Sequence, residues 1–163
     1  MIYKNFGLMY SASETFLTIL GCVMVLTFGF GWSFWISVSW GLTFKGIMGI
    51  TLLIQAGITL LIAYIPQQQF FYMLWVLGAM FIFGGHFSLT SGEVVNILGR
   101  RAGGNVYQVL YYSFPCSCGI SFFILYFMYG DRGYPQILKI TGILSLVAFG
   151  ILILLYNKQN YNW

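Results

Sequence analysis

Charged side chains are scarce in this chain of 163 residues. Asp, Glu, Lys and Arg together make up 6% of it, whereas 60% of the residues are hydrophobic. A soluble globular domain carries about a quarter charged residues, because water must solvate its surface. With a mean hydropathy of +0.86, this chain has too few polar residues to cover itself. Lipid or other apolar protein must therefore cover it.

Residues that build metal centres and catalytic sites are also few. The chain has one histidine and three acidic residues, and its cysteines, Cys22, Cys116 and Cys118, all lie in apolar runs. Two thiols at positions i and i+2 of a helix point to different sides, which suits neither a metal ion nor a disulfide framework. No nucleotide-binding loop, nucleophile–base pair or cationic patch for nucleic acid occurs. We therefore expect no catalysis, no nucleic-acid partner and no cofactor apart from bound lipid.

Long apolar runs dominate the chain and predict an all-α, polytopic membrane protein. A transmembrane helix needs about 20 mainly apolar residues. Five runs meet this length, at about 16–40, 47–65, 70–98, 106–129 and 136–156. The predicted organisation is thus a short polar lead-in over 1–15, a five-helix bundle over 16–156 and a tail over 157–163. The clearest predicted loop is the polar stretch 99–105.

The distribution of charge between the loops predicts the orientation of the bundle. Five crossings put the two ends of the chain on opposite sides, and cytoplasmic loops carry an excess of Lys and Arg. One side would hold four cations and no acid: the loop residues Lys45, Arg100 and Arg101, and Lys158 in the tail. On the other side, Lys4 is offset by Glu14 and Arg132 by Asp131. The C-terminus is therefore predicted to lie on the cytoplasmic or matrix side.

A polar stripe in the third run is the strongest candidate for a functional site. His86, Thr90 and Glu93 are spaced by four and three residues, and Asn96 lies alongside. This spacing places them on one helix face, and ionisable groups inside a membrane usually face protein or water. The stripe would line a proton- or anion-responsive pathway. In the alternative, Glu93 bonds to a neighbouring helix and His86 to a nearby carbonyl.

Pro115 lies in the middle of the fourth run. Proline removes one backbone hydrogen bond, so a helix kink is predicted there. The stretch 115–119 would then be either a gating hinge or a packing feature, since its small residues let helices approach closely.

Three short motifs follow one another in a definite order. They are residues 6–8 with 13–18, then Ser39-Trp40-Gly41-Leu42 with Lys45-Gly46, and then 84–89 with 98–107. Together they resemble the C-terminal half of a major facilitator superfamily transporter, in the oxalate/formate antiporter or monocarboxylate transporter-like branches. The resemblance implies that the five predicted helices correspond to helices eight to twelve of that family.

The chain also departs from the family pattern. The arginine usual before the tryptophan–glycine pair is replaced by the apolar and hydroxyl stretch 32–39, and Phe44 stands where an acid normally precedes Lys45. Ser91 stands where a proline is expected. The acid normally belongs to a charge cluster that stabilises one conformation of the transporter, so its absence puts alternating access in doubt.

The sequence is compatible with two functions. The sequence favours a non-catalytic, transporter-derived subunit with a structural role in a larger membrane complex, for which a mitochondrial inner-membrane respiratory complex is a natural host. The alternative is a half-transporter or small transporter of a solute such as a monocarboxylate, in the mitochondrial or plasma membrane. The expected partners are lipid and either other membrane subunits or a missing transporter half.

Overall fold

The computed structural model of the protein describes residues 7–8, 13–61, 68–128 and 133–156, and nearly all of them are helical. Five helices follow one another: α1 (Glu14–Ser39), α2 (Phe44–Leu61), α3 (Gln69–Tyr111), α4 (Ser113–Met128) and α5 (Gly133–Leu155). No strand occurs within these ranges, which confirms the predicted all-α class. Several predictions concern residues outside them, namely most of the lead-in, the tail, Lys4, Asp131, Arg132 and Lys158.

Four helical stretches of the described chain are long and apolar enough to cross a membrane. They are Glu14–Ser39, Phe44–Leu61, Gln69–Phe123 and Leu138–Leu155. The third stretch contains the third predicted helix and most of the fourth, and its 55 residues far exceed the roughly 20 that one crossing needs. This class of structure is compatible with an integral membrane protein.

Helix α3 contains a sharp reversal at Gly99. This residue has φ 74° and ψ 165°, a conformation that is essentially restricted to glycine. Past the reversal, Gly103 lies so close to Val94 and Val95 that a Cβ on it would stand 2.8 Å from the Val95 Cα atom. Further along, the Phe87 and Phe114 rings are only 5.5 Å apart, although 27 residues separate them. The chain therefore folds back on itself, with 69–98 as an outgoing arm and 100–111 as a return arm.

The predicted loop over 99–105 is wrong in extent. Only Gly99 leaves the helical conformation, and residues 100–105 belong to the return arm. Arg100 and Arg101 are consequently exposed helical residues rather than loop cations. Glycine and arginine content suggested a loop, but a single glycine is enough to reverse the chain, and arginine is a good helix former.

Alanine at position 99 should destabilise the reversal. A side chain at this backbone conformation costs about 1–3 kcal/mol, so Gly99→Ala is expected to lower the free energy of unfolding by that amount. Gly104→Ala is the matched control, because Gly104 is helical and a Cβ there meets nothing within 4 Å. Unfolding of both variants in mixed detergent micelles, followed by circular dichroism, gives the comparison. Equal stability of the two variants would contradict the assigned reversal.

Helix α4 follows the return arm after a short interruption at Tyr112. The Tyr112 amide bonds to the Val109 carbonyl oxygen at 3.1 Å, and regular α-helical bonding resumes with Cys116 on Tyr112 at 3.4 Å. The interruption lies three residues before Pro115, whose nitrogen has no hydrogen to donate one turn back. The helix is therefore interrupted in the turn where Pro115 cannot donate a backbone hydrogen bond.

The core of the bundle lies where α1 crosses the outgoing arm of α3. Backbones approach closely at Gly31 of α1 and at Gly84 of α3, where an added Cβ would collide with the facing backbone, and a Cβ on Gly85 would collide with the Trp35 ring. Two apolar clusters flank this crossing. One is Leu17, Leu20, Tyr72 and Val76, and the other is Trp35, Ile47 and Leu89. Helix α2 packs against α5 and against α3, to which it is tied by the Trp75 Nε1–Ile58 O hydrogen bond of 3.0 Å.

Candidate functional site

The predicted polar stripe divides into three environments. His86 and Thr90 line a cavity inside the bundle. Glu93 is buried, with 7% of its surface exposed, and contacts the end of α5. Asn96 is exposed and lines neither the cavity nor the contact with the end of α5. The residues of the stripe are thus spaced along one helix face, but in the fold His86 and Thr90 belong to the cavity and Glu93 to the contact with α5.

Three residues from different helices meet at one end of the bundle, and we call them the three-helix tie: Lys45, Glu93 and Tyr156. The Lys45 Nζ atom donates to the carbonyl oxygens of Ile153, at 2.8 Å, and of Tyr156, at 3.0 Å. These carbonyls terminate α5, where a helix carries partial negative charge and favours a cation. The Tyr156 hydroxyl in turn donates to Glu93 Oε1.

An aromatic ring also packs against the three-helix tie. The Phe44 ring lies 5.3 Å from the Tyr156 ring, and Phe44 occupies the position where the resembled family has an acid. Burial and the hydrogen bond to Glu93 raise the pKa of the Tyr156 phenol above its usual value. The phenol therefore keeps its proton at physiological pH and can donate to the carboxyl group. Lys45 is engaged with backbone carbonyls instead of a partner acid.

A cavity of about 500 Å³ lies between α2, α3, α4 and α5. Its polar lining consists of amide, imidazole and hydroxyl side chains, including Gln55, His86, Thr90, Ser117, Thr141 and Ser145. Its aromatic lining joins the two arms of α3 to α4: Phe83, Phe87, Tyr107, Tyr111 and Phe114. Among the residues that the structure describes, none that lines the cavity carries a Lys, Arg, Asp or Glu side chain.

His86 is the most unusual polar group of this cavity. Among the described residues, two buried side-chain nitrogens lack a hydrogen-bond partner, Trp35 Nε1 and His86 Nε2. Only His86 of the two lines the cavity. An unsatisfied buried polar atom costs about 1–3 kcal/mol, so this nitrogen is a natural contact for a bound molecule. The expected bond from His86 to a neighbouring carbonyl is not made by Nε2.

The sequence selected His86, Thr90, Glu93 and Lys45, and it indicated Gln55 as an interhelical hydrogen-bond donor, but it did not predict which residues lie next to one another. Tyr156 was expected only as the end of the fifth helix, and it lies 63 residues from Glu93 and 111 from Lys45. Gln55 and Ser145 likewise come from other helices. No local pattern could bring these residues together, because helix packing alone makes them neighbours. Within the described chain, no group of His, Cys, Asp and Glu side chains could hold a metal ion.

Comparison of the chain with protein-family models, curated proteins and solved structures gives no match. The fold and the site therefore define only a class, an all-helical chain with four stretches able to cross a membrane.

Proposed function

We propose that this protein is a non-catalytic integral membrane subunit with a structural role in a larger membrane protein complex. The observation that carries the proposal is the exposure of α4. Every α4 side chain that the structure describes is exposed, and so are those of 104–111 except the half-buried Tyr107. Most of the surface of α4 is therefore available for another chain.

The composition of α4 favours protein over lipid as its cover. The run Cys116-Ser117-Cys118-Gly119 is made of small residues, which let a second helix approach closely. A Cβ added at Gly119 meets nothing within 4 Å in this chain. Gly119 thus leaves an open approach for a second helix that no residue of the described bundle fills.

The three-helix tie supports a fixed rather than a moving role. It holds the start of α2, the outgoing arm of α3 and the end of α5 together through hydrogen bonds to a buried carboxyl group and to two helix-terminal carbonyls. A transporter must open and close by moving such elements against one another. The described lining of the cavity, moreover, offers no cationic side chain to attract a carboxylate substrate.

We further propose that the chain crosses the membrane five times and derives from the C-terminal half of a major facilitator transporter. The reversal at Gly99 supports this count, because it divides the long stretch into two arms. The predicted orientation puts the three-helix tie and Arg100 on the cytoplasmic or matrix side. Lys139, exposed near the start of α5, adds a cation to the opposite side and reduces the charge bias without reversing it.

The proposal is tested by measuring what surrounds α4 in native membranes. A photo-crosslinking residue at Ile120, which is 61% exposed, should form an adduct with a different protein chain. The same residue at Leu26 of α1, which is 73% exposed, should react with lipid. In parallel, native mass spectrometry of the particle purified in mild detergent should give the mass of a complex of several different chains.

A substitution at Gly119 provides the matched comparison. Gly119→Leu should release the subunit from the complex while the bundle stays folded, because no atom of this chain occupies the space. Gly29→Leu adds the same side chain at another exposed site with open space and should leave the complex intact. A particle that contains only this chain, with solute uptake that is lost in Glu93→Gln, would overturn the subunit proposal and support the half-transporter.

A further inference from the structure

We propose that the cavity between α2, α3, α4 and α5 is a binding site for an uncharged, ring-containing small molecule that carries an O–H or N–H donor. The cavity volume of about 500 Å³ falls within the range of small-molecule sites, about 300–1,000 Å³. Its described lining comes from this chain alone, so binding does not require a residue of another chain.

The absence of charge around the cavity specifies an uncharged ligand. None of its lining residues in the described chain is acidic or basic, and Glu93 and Lys45 are engaged in the three-helix tie instead. Moving an ion from water into a site without a countercharge costs several kcal/mol. A carboxylate or an ammonium compound would therefore bind much more weakly than its neutral analogue.

The aromatic wall of the cavity favours a ligand that contains a ring. Phe87 is the centre of this wall, at 5.5 Å from the Phe114 ring, 5.7 Å from Tyr111 and 5.0 Å from Phe83. Rings at such spacings offer both faces and edges to a further ring, and aromatic pairs add to the free energy of simple apolar burial. A flat ligand can thus extend the existing aromatic cluster into the cavity.

The hydroxyl groups that line the cavity favour a ligand that carries a hydrogen-bond donor. Three of them already give their protons to backbone carbonyls: Thr90 to His86 at 2.7 Å, Ser117 to Phe114 at 2.8 Å, and Ser145 to Thr141 at 3.0 Å. Each hydroxyl oxygen still has lone pairs that can accept a hydrogen bond. These three hydroxyl oxygens can therefore accept a hydrogen bond from the ligand, and His86 Nε2, which has no partner, is a fourth acceptor in the tautomer with the proton on Nδ1.

Ligand-detected ¹⁹F NMR on the full chain in lipid nanodiscs tests the proposal, with 4-fluorophenol as the probe. The compounds 4-fluoroanisole and 4-fluorobenzoate serve as the analogues without the donor and with a charge. We expect saturable binding of 4-fluorophenol that is about tenfold or more tighter than that of either analogue, the ratio that one lost hydrogen bond of about 1.4 kcal/mol gives. Nanodiscs without protein correct for partitioning into lipid.

Two variants locate the binding in the cavity. His86→Leu removes the unsatisfied nitrogen and should weaken 4-fluorophenol binding about tenfold, and Ser117→Phe should abolish it by filling the space from an exposed position on α4. Asn96→Leu changes an exposed residue of the same helix that does not line the cavity, and binding should be unchanged. Binding that is equal in wild type, His86→Leu and Ser117→Phe, or equal for 4-fluoroanisole, or tighter for 4-fluorobenzoate, would overturn the proposal.

Discussion

Alanine at position 31 should destabilise the bundle strongly, whereas alanine at position 29 should not. A Cβ on Gly31 would collide with the Phe81 backbone, standing 3.0 Å from its Cα atom and closer still to its carbonyl oxygen. Backbone atoms cannot rotate away as a flexible side chain can, so α1 and α3 must separate. Overpacking of this kind costs about 1–3 kcal/mol, and we expect Gly31→Ala to fall at the upper end.

Gly29→Ala is a matched control on the same helix, because a Cβ there meets nothing within 4 Å. Alanine is also about 0.5–1 kcal/mol more favourable than glycine inside a helix, so this variant should be as stable as wild type or slightly more so. Reversible unfolding in mixed micelles of a denaturing and a mild detergent measures both. Similar free energies of unfolding for Gly31→Ala and Gly29→Ala would show that α1 and α3 do not cross at Gly31.

Loss of the Tyr156 hydroxyl should be the second large effect. Tyr156→Phe leaves the Glu93 carboxyl group buried without its donor. An unsatisfied buried acceptor costs about 1–3 kcal/mol, and more where the group is charged. We therefore expect the free energy of unfolding to fall by about 2–3 kcal/mol. Tyr112→Phe is the matched control, since Tyr112 is 71% exposed and should change stability little.

A double-mutant cycle separates the hydrogen bond from the rest of the tie. In a Glu93→Met background, Tyr156→Phe should cost much less than in wild type, because both polar partners are then gone. The coupling energy is measured by unfolding the four variants under identical conditions. Strictly additive effects of the two substitutions would mean that Glu93 and Tyr156 do not interact, and the tie would lose its central contact.

The sequence predicted the helices well because apolar length is a local property. The first predicted helix, over 16–40, corresponds to α1 at Glu14–Ser39, whose start is capped by Ser13 accepting from the Phe16 amide at 3.3 Å. The error at 99–105 arose because a glycine and two arginines suggest a loop, whereas the chain needs only one residue of special conformation to reverse. The number of residues in a turn depends on how closely the two arms pack.

Sequence alone thus determined that the chain is apolar and all-helical, and that His86, Glu93 and Lys45 are ionisable residues in or beside apolar helices. Tertiary structure alone decided their surroundings. Packing of α5 against α2 brings Tyr156 to Lys45 and Glu93, and the reversal at Gly99 places the return arm along the cavity that His86 lines. The physical reason is one of range. Hydropathy and helix propensity act over a few residues, whereas the hydrogen-bond partners in the three-helix tie are 63 to 111 residues apart in sequence.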